Sequence, residues 1–171
     1  MKKLLLSLLI ITASAFTCFA QHIQSFSMGG ELGLPQGKAK DLYDYTAGFT
    51  LKFELPTGVK PLKFIAQIGY TDFGVKRSVK NGFDVDYLPI EVGAKLYIHQ
   101  FYLEGDVGES TNLNSGYAGP RVALIYAPGI GYTIPALDFD EMDFGLRYEG
   151  RVEPGGTMGQ VVLRVAYKFN F

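Results

Sequence analysis

The chain ends in the stretch VVLRVAYKFNF, residues 161–171, in which apolar and polar side chains alternate. Alternation with a period of two is typical of a β-strand that has two different faces. Chain ends usually fray, and an unpaired apolar strand promotes aggregation. We therefore expect this strand to pair with another strand, or to turn its apolar face towards something other than water. That face carries Val161, Leu163, Val165, Tyr167, Phe169 and Phe171.

The same alternation recurs along the chain, most clearly in residues 45–55, where Lys52 and Glu54 lie opposite a row of large apolar side chains. The pattern predicts eight strands and no domain boundary between them. The sixth strand is the least regular, because Pro128 and two glycines interrupt it, and its register stays open. The predicted strands span residues 25–34, 44–55, 62–73, 86–98, 101–109, 121–134, 140–152 and 158–171.

The connections between these segments alternate in length. PTGVKP, HQ and PALDF are short, whereas PQGKAKDLYD, GVKRSVKNGFDV and ESTNLNSGYAGP are longer and polar. Short turns at one end and long loops at the other are typical of outer-membrane barrels. The last loop, EPGGT, is short and departs mildly from this pattern.

The first residues have the composition of a secretory signal peptide. Lys2 and Lys3 precede an apolar run over residues 4–16, and Cys18-Phe19-Ala20 is a small-x-small cleavage site. The run is too short to cross a bilayer as a helix. Cys18 leaves lipidation open as an alternative, although the residues before it do not form a lipobox. We expect a cleaved leader over residues 1–20 and an exported domain over residues 21–171.

The overall composition limits the classes of function. With 171 residues, 47% of them hydrophobic and 19% charged, the chain is long enough for one folded domain and too apolar for intrinsic disorder. The formal net charge is −1, and there is no strongly basic stretch. Nucleic acid is therefore not expected as a partner.

Charged side chains collect on the strand face opposite to the large apolar residues, as seven acids and seven bases. Balanced charges are expected where they must pair inside a narrow closed lumen. The predicted strands, about 10–14 residues long, exceed the ~5–6 of globular proteins and match the ~9–11 that cross a membrane. The charged set comprises Glu31, Lys52, Glu54, Lys63, Glu91, Lys95, Glu104, Asp106, Asp143, Arg147, Glu149, Arg151, Arg164 and Lys168.

Alternation alone does not determine which face meets water. A secreted or periplasmic lipocalin-like carrier would turn its apolar face inward around a small apolar ligand. A transmembrane barrel would turn the same face outward to lipid and the charges inward. The two interpretations differ in the direction of the fourteen charged side chains.

The phrases DYLPIEVGAKLYI, FYLEGDVG, APGIGY, DFGLRYEG and LRVAYKF resemble the small outer-membrane β-barrel proteins of Gram-negative bacteria, in particular the Bacteroidetes-type outer-membrane β-barrel family. The resemblance covers about residues 25–171. It implies an all-β, eight-stranded antiparallel up-and-down transmembrane barrel in the outer membrane. It also implies that Tyr167, Phe169 and Phe171 form the signal that the barrel-assembly machinery reads.

Groups suited to catalysis are few. The two histidines are His22, beside the cleavage site, and His99, in a short turn, whereas Ser110 and Ser115 belong to the opposite end. A serine–histidine–acid site is therefore not expected. The acidic stretch DFDEMD, residues 138–143, lacks the glycine and the spacing of a calcium loop. We expect no enzyme, no metal and no cofactor.

For the lumen, the sequence leaves a plug and a very narrow pore open, and eight strands favour the plug because side chains fill so small a barrel. The role expected is structural or a surface interaction. Expected partners are outer-membrane lipid, lipopolysaccharide and, during insertion, the barrel-assembly machinery. A plain solvated loop is the default interpretation of the loop cations Lys76, Arg77 and Lys80, and contact with lipopolysaccharide phosphates is the alternative. We expect a monomer.

Overall fold

A computed structural model describes residues 24–80, 82–116, 119–137 and 139–171. The leader, Cys18, His22 and Asp138 lie outside the described residues, so the expectations that concern them stay predictions. Among the described residues, no helix has the length and apolar character needed to cross a membrane.

Eight antiparallel strands form a closed barrel in which each strand pairs with its neighbour in sequence and β1 pairs with β8. This confirms the predicted eight-stranded up-and-down barrel. The strands extend up to three residues beyond the predicted ends, and a short helix, α1 (Ala39–Leu42), was not predicted. The strands are β1 (Ser25–Gly37), β2 (Tyr43–Pro56), β3 (Leu62–Val75), β4 (Val85–Ile98), β5 (Phe101–Asn112), β6 (Val122–Pro135), β7 (Glu141–Glu153) and β8 (Gly156–Asn170).

Closure depends on the long ladder between β1 and β8, which runs from Ser25 opposite Asn170 to Gly37 opposite Met158. Beyond it, the backbone N–H of Phe171 donates to the carbonyl of Gln24, and the N–H of Gln24 donates to the carbonyl of Phe171, both at 3.0 Å. The last strand is therefore paired to its final residue, and the barrel has no free edge.

The sixth strand is continuous despite its proline. Its ladder with β5 runs without a register shift from Thr111 opposite Val122 to Phe101 opposite Tyr132, and Pro128 lies opposite Gly105. On the β7 side the pairing stops at Tyr126 and resumes at Gly129 in the same register. Proline has no N–H to donate, so it interrupts one ladder locally without displacing the strand.

Several tyrosines lie flat over glycines of the neighbouring strand. A Cβ added to Gly74 would lie 2.4 Å from the ring of Tyr45, and one added to Gly150 would lie 2.4 Å from the ring of Tyr126. The glycine leaves room for the ring, and the ring covers backbone that a glycine would otherwise expose. These pairs hold large aromatic side chains against the outer surface of the barrel.

The two ends of the barrel differ as the sequence predicts. At the end that carries both described termini, the connections are short turns, residues 57–61, 99–100 and 136–140. At the opposite end lie L1 (residues 38–42), L2 (residues 76–84), L3 (residues 113–121) and the two-residue L4 (residues 154–155). Under these loops a small apolar cap closes the barrel, formed by Ala39, Tyr43, Phe73, Val85, Tyr87 and Met158.

Candidate functional site in the barrel lumen

The barrel turns its charges inward and its apolar side chains outward. Lys52 and Lys95 have no exposed surface, whereas Leu32 and Phe101 on the outer face are 66% and 64% exposed. Every member of the predicted charged set lies on the inner face, and all except Lys63 are buried. The Lys63 side chain, 20% exposed, lies at the mouth of the lumen on the turn side.

Lys95 is the centre of a cluster in the half of the lumen nearer the turns. Its Nζ lies 2.7 Å from Glu54 Oε1, 3.2 Å from Asp143 Oδ2 and 3.6 Å from Glu104 Oε2. It also lies 3.9 Å from the ring centroid of Tyr102, a cation–π distance. Lys52 Nζ donates to both oxygens of Glu104, at 2.9 and 2.8 Å. Four strands are thus joined through two ammonium groups.

Glu54 connects this cluster to the mouth of the lumen. Its Oε2 lies 3.3 Å from Lys63 Nζ and 3.4 Å from Lys168 Nζ, and it accepts a hydrogen bond from the Tyr97 hydroxyl at 2.8 Å. Lys168 also donates to Glu141 Oε2 at 2.8 Å. The cations at the mouth are therefore all held by carboxylates.

A second cluster, in the middle of the barrel, is built around Arg147. This guanidinium donates to Glu31 and to Gln67 Oε1, at 3.2 and 3.1 Å, and forms an ion pair with Glu149. Arg164 lies beside it and donates to the hydroxyls of Thr50, at 2.7 Å, and Ser27, at 2.9 Å. Neutral side chains thus supply part of the hydrogen bonding of both guanidinium groups, whereas Arg147 Nε and Arg164 Nη1 are buried without a hydrogen bond.

Two inner carboxylates have no cation beside them. Among the described residues, no lysine or arginine nitrogen lies within 4 Å of Glu91 or Asp106; both accept from Gln67 Nε2, at 2.9 and 3.4 Å. One oxygen of each carboxylate is buried without a hydrogen bond. The expectation that every inner charge has an oppositely charged partner is therefore wrong for Glu91 and Asp106. Two further acids, Glu141 and Glu153, lie on the same face of β7 and upset the predicted balance.

Near the loop end, one guanidinium attaches L3 to the barrel wall. Arg151 donates to the carbonyl and the hydroxyl of Ser110, both at 2.7 Å, and to the carbonyl of Pro120 at 3.0 Å. Its Cζ lies 4.1 Å from the ring centroid of Tyr87. Glu153 accepts from its Nε at 2.7 Å. Below this arrangement is a cavity of about 20 Å³, which is room for about one water molecule.

The residues considered for catalysis are not brought together. His99 lies in the turn between β4 and β5, Ser110 is held by Arg151 near the loop end, and Ser115 lies in L3. Within the described part of the chain, no three side chains of the metal-binding types are grouped closely enough to hold an ion. Asp140, from the acidic stretch, accepts hydrogen bonds from the Tyr167 hydroxyl at 2.9 Å and from the Asn170 N–H at 3.3 Å.

The three aromatic residues of the predicted assembly signal lie on the outer face near the turn end. The ring of Phe169 lies between those of Tyr167 and Phe26, at centroid distances of 4.8 and 6.4 Å. Phe171 is 67% exposed. All three rings are therefore accessible from the surroundings of the barrel.

Sequence reasoning assigned no role to the neutral members of the lumen, among them Gln67, Thr50 and Tyr97, which contact the charged groups. Each lies at an inward position of its strand by the same period of two, so the alternation was sufficient to predict that these side chains enter the lumen. Glu141 and Glu153 extend the inward positions of β7 to its two ends in the same way.

Comparison with known proteins places the fold. No family model matches the chain, and no curated protein matches it. The structure of Ail, the attachment invasion locus protein of Yersinia pestis, superimposes with a TM-score of 0.57 at 21% identity, over 86% of this chain and 98% of that one. Neisserial surface protein A superimposes with a TM-score of 0.60 at 10% identity, over 88% of this chain and the whole of that one. The fold is that of small outer-membrane β-barrels.

Other structures of Ail have the same fold. One was determined in a phospholipid bilayer nanodisc and another in complex with the heparin analogue sucrose octasulfate. At 21% identity or less, these likenesses establish the architecture, while the role of the present chain has to be argued from its own residues.

Proposed function

We propose that this chain is an integral outer-membrane β-barrel protein with a plugged lumen, whose loops take part in surface interactions. The observation that carries the proposal is the reversed polarity of the barrel, with buried charges inside and exposed apolar side chains outside. An apolar surface of this extent is not stable in water, whereas a bilayer covers it. Closure satisfies the backbone, as the hydrocarbon core requires.

The lipocalin-like alternative requires the opposite arrangement. A carrier of that kind would line its interior with apolar side chains around a ligand cavity. Here the interior holds Lys52, Lys95, Glu54 and Asp143, each at most 1% exposed. The direction of these side chains favours the membrane interpretation.

The lumen acts as a plug in this proposal. Ion pairs cross the half nearer the turns, the apolar cap lies under the loops, and a cavity of about 20 Å³ beside the cap has room for about one water. An eight-stranded barrel offers little further cross-section. The buried ion pairs join strands that are not neighbours, which suits a structural role.

Export, family and partners complete the proposal. The predicted leader over residues 1–20 directs the chain out of the cytoplasm, and the family proposed is the Bacteroidetes-type outer-membrane barrel. Lipid and lipopolysaccharide surround a monomer, and the barrel-assembly machinery reads the aromatic residues of β8. The chain has no enzymatic role in this proposal.

Fractionation of cells that express the full chain tests the membrane assignment. We expect the mature protein in the outer-membrane fraction, with electrophoretic migration in detergent that changes on heating, since closed barrels resist unheated detergent. Recovery of the mature protein in the soluble periplasmic fraction would contradict the proposal. A loop-variant control, Arg121→Ala, should fractionate like the parent protein.

A further inference from the structure

A groove of about 450 Å³ opens among the four loops, and neither the plug nor the membrane surface accounts for it. Its volume lies in the range of small-molecule sites, roughly 300–1,000 Å³. The floor is formed by Tyr43 and Met158 of the apolar cap together with Val75, and Val79 and Phe83 of L2 form one wall. The floor is therefore apolar and the opening faces away from the turns.

Apolar side chains at this groove are unusually exposed for loops that face water. Leu42 of L1 is 42% exposed and Phe83 of L2 is 47% exposed. Both lie at the loop end, outside the strands that carry the outer apolar face. Apolar side chains that are exposed together on a loop surface often mark a site where a ligand or a partner binds.

One cation of the groove lies against a glycine turn. The side chain of Lys38 lies across Gly155 and Gly156, and a Cβ added to Gly156 would lie 2.7 Å from Lys38 Cε. A Cβ added to Gly155 would lie 2.9 Å from Lys38 Nζ. The two glycines have φ values of +87° and +140°, which other residues rarely adopt. The two glycines, at the end of L4 and the start of β8, therefore leave room for this side chain.

The Lys38 ammonium has no direct ion-pair partner among the described residues. Within the described residues, no carboxylate oxygen lies within 4 Å of the nitrogen of Lys38 or of any other L1 or L2 cation. Glu153, the acid of the groove lining, accepts from Arg151 at 2.7 Å. Lys76 Nζ donates to the carbonyl of Lys40 at 2.5 Å, which joins L2 to L1. The groove thus combines an apolar floor with one ammonium group, that of Lys38, which has no ion-pair partner within 4 Å among the described residues.

We propose that this groove binds a single-chain amphiphilic anion, with its apolar tail on Tyr43 and Met158 and its anionic head group beside Lys38. Apolar pockets with a few placed polar groups bind small ligands in this way, and a charged head group forms a charge-assisted hydrogen bond with an ammonium group. The inference goes beyond the proposed function, because it needs the barrel and its loops but no particular cellular role.

The methionines of the chain offer a direct test. Met158 lies in the floor of the groove, whereas Met28 and Met142 lie on the outer face of β1 and β7. We would label methionine methyl groups with carbon-13, place the full mature protein in nanodiscs of zwitterionic phospholipid, and titrate octanoate. The proposal expects a saturable shift of the Met158 methyl signal, with the signals of Met28 and Met142 changing little.

Two comparisons identify the head-group contact. Lys38→Ala should weaken octanoate binding at Met158 about fivefold, the amount that one partly exposed ion pair supplies. Lys60→Ala, an exposed lysine of the turn at the opposite end, is the matched control and should leave binding unchanged. Octanol, which has the same chain without the charge, should bind more weakly than octanoate.

Several outcomes would overturn the inference. Parallel shifts of all three methionines would show that octanoate only enters the bilayer. Octanoate binding that is as strong in Lys38→Ala as in the parent protein, or octanol binding as strong as octanoate binding, would contradict the proposed anion site. Phe83→Ser provides a second variant, expected to weaken both ligands at the apolar wall. Unchanged Met28 and Met142 signals would show that each variant is folded, so that a negative result for the groove leaves the membrane proposal standing.

Discussion

At the scale of single residues, the lumen depends on a small number of shared charges. Lys95 forms ion pairs with three carboxylates and Arg147 with two. Glu91 and Asp106 have no lysine or arginine nitrogen within 4 Å among the described residues. Loss of one partner from a buried ion pair leaves an uncompensated charge. The same type of substitution therefore has opposite consequences at different positions in the lumen.

Arg147→Ala should strongly destabilise the barrel. The substitution leaves Glu31 and Glu149 without the guanidinium that joins them, and it removes the donor to Gln67 Oε1. We expect the free energy of unfolding to fall by about 3–5 kcal/mol, measured by equilibrium urea unfolding in lipid vesicles. Arg121→Ala, an exposed arginine beside β6, should change it by less than about 0.5 kcal/mol. Equal effects of the two variants would show that the central cluster contributes nothing.

Asp106→Asn and Glu104→Gln form a matched pair with opposite expectations. Asp106 has no cation beside it, so replacement by the neutral isostere removes an uncompensated charge and should leave the unfolding free energy unchanged or raise it. Glu104 accepts two hydrogen bonds from Lys52, and its replacement leaves a buried ammonium underpaired. We expect that variant to lose at least about 2 kcal/mol in the same unfolding experiment. A loss of that size in Asp106→Asn would contradict the assignment of the unpaired carboxylates.

At the scale of elements, β8 closes the barrel and carries the proposed assembly signal. Its register with β1 is continuous, and Phe171 exchanges two backbone hydrogen bonds with Gln24 while its ring stays exposed. Little of the packing therefore depends on this ring. An exposed terminal ring on a fully paired strand is available for recognition.

Deletion of Phe171 should impair assembly in cells more than stability. We expect less heat-modifiable barrel in the outer-membrane fraction, while the purified variant refolds in detergent as the parent protein does. Phe171→Tyr, which keeps the ring, should restore assembly, and Phe101→Ser, an exposed outer-face ring of the same end, serves as a control for lost apolar area. Assembly of the deletion variant at the parent level would refute the signal.

The elements also show how far the sequence was informative. All eight strands were predicted, because alternation is a local property that each segment expresses by itself. The register of β6 was left open, since a proline within a strand usually marks an edge or a bulge. Here Pro128 interrupts only the ladder with β7, and pairing with β5 keeps the strand in register. The helix α1 was missed because a single turn has no periodicity to detect.

At the scale of the whole molecule, the barrel is an apolar cylinder with a charged interior. The apolar cap lies under the loops, and the ion pairs of Glu54 and Lys168 lie at the opposite mouth. A cavity of about 20 Å³ beside the cap has room for about one water. This arrangement is the basis of the proposed plug, in which the barrel holds its loops at the membrane surface without a path across it.

Planar bilayer recordings test the closed lumen. We expect the purified barrel to insert without a steady single-channel current, because the proposed plug leaves no continuous water path through the lumen. Tyr43→Gly, which removes a large ring from the apolar cap, should leave the recording silent, since the ion pairs nearer the turns still fill the lumen. A stable current from the parent protein would contradict the plug and favour the narrow pore.

The local pattern of this chain was enough to specify the strands, their two faces and the side on which charges collect, because side-chain direction in a strand depends on position alone. Which charges meet was a matter for the closed barrel. Arg164 contacts Ser27 across 137 positions of the sequence, and Lys95 contacts acids from β2, β5 and β7. Such contacts form across a lumen that exists only when β1 and β8 pair. The closed barrel also decides that no lysine or arginine among the described residues reaches Glu91 or Asp106. Alternation is local, whereas the partner of a buried charge depends on every strand between the two.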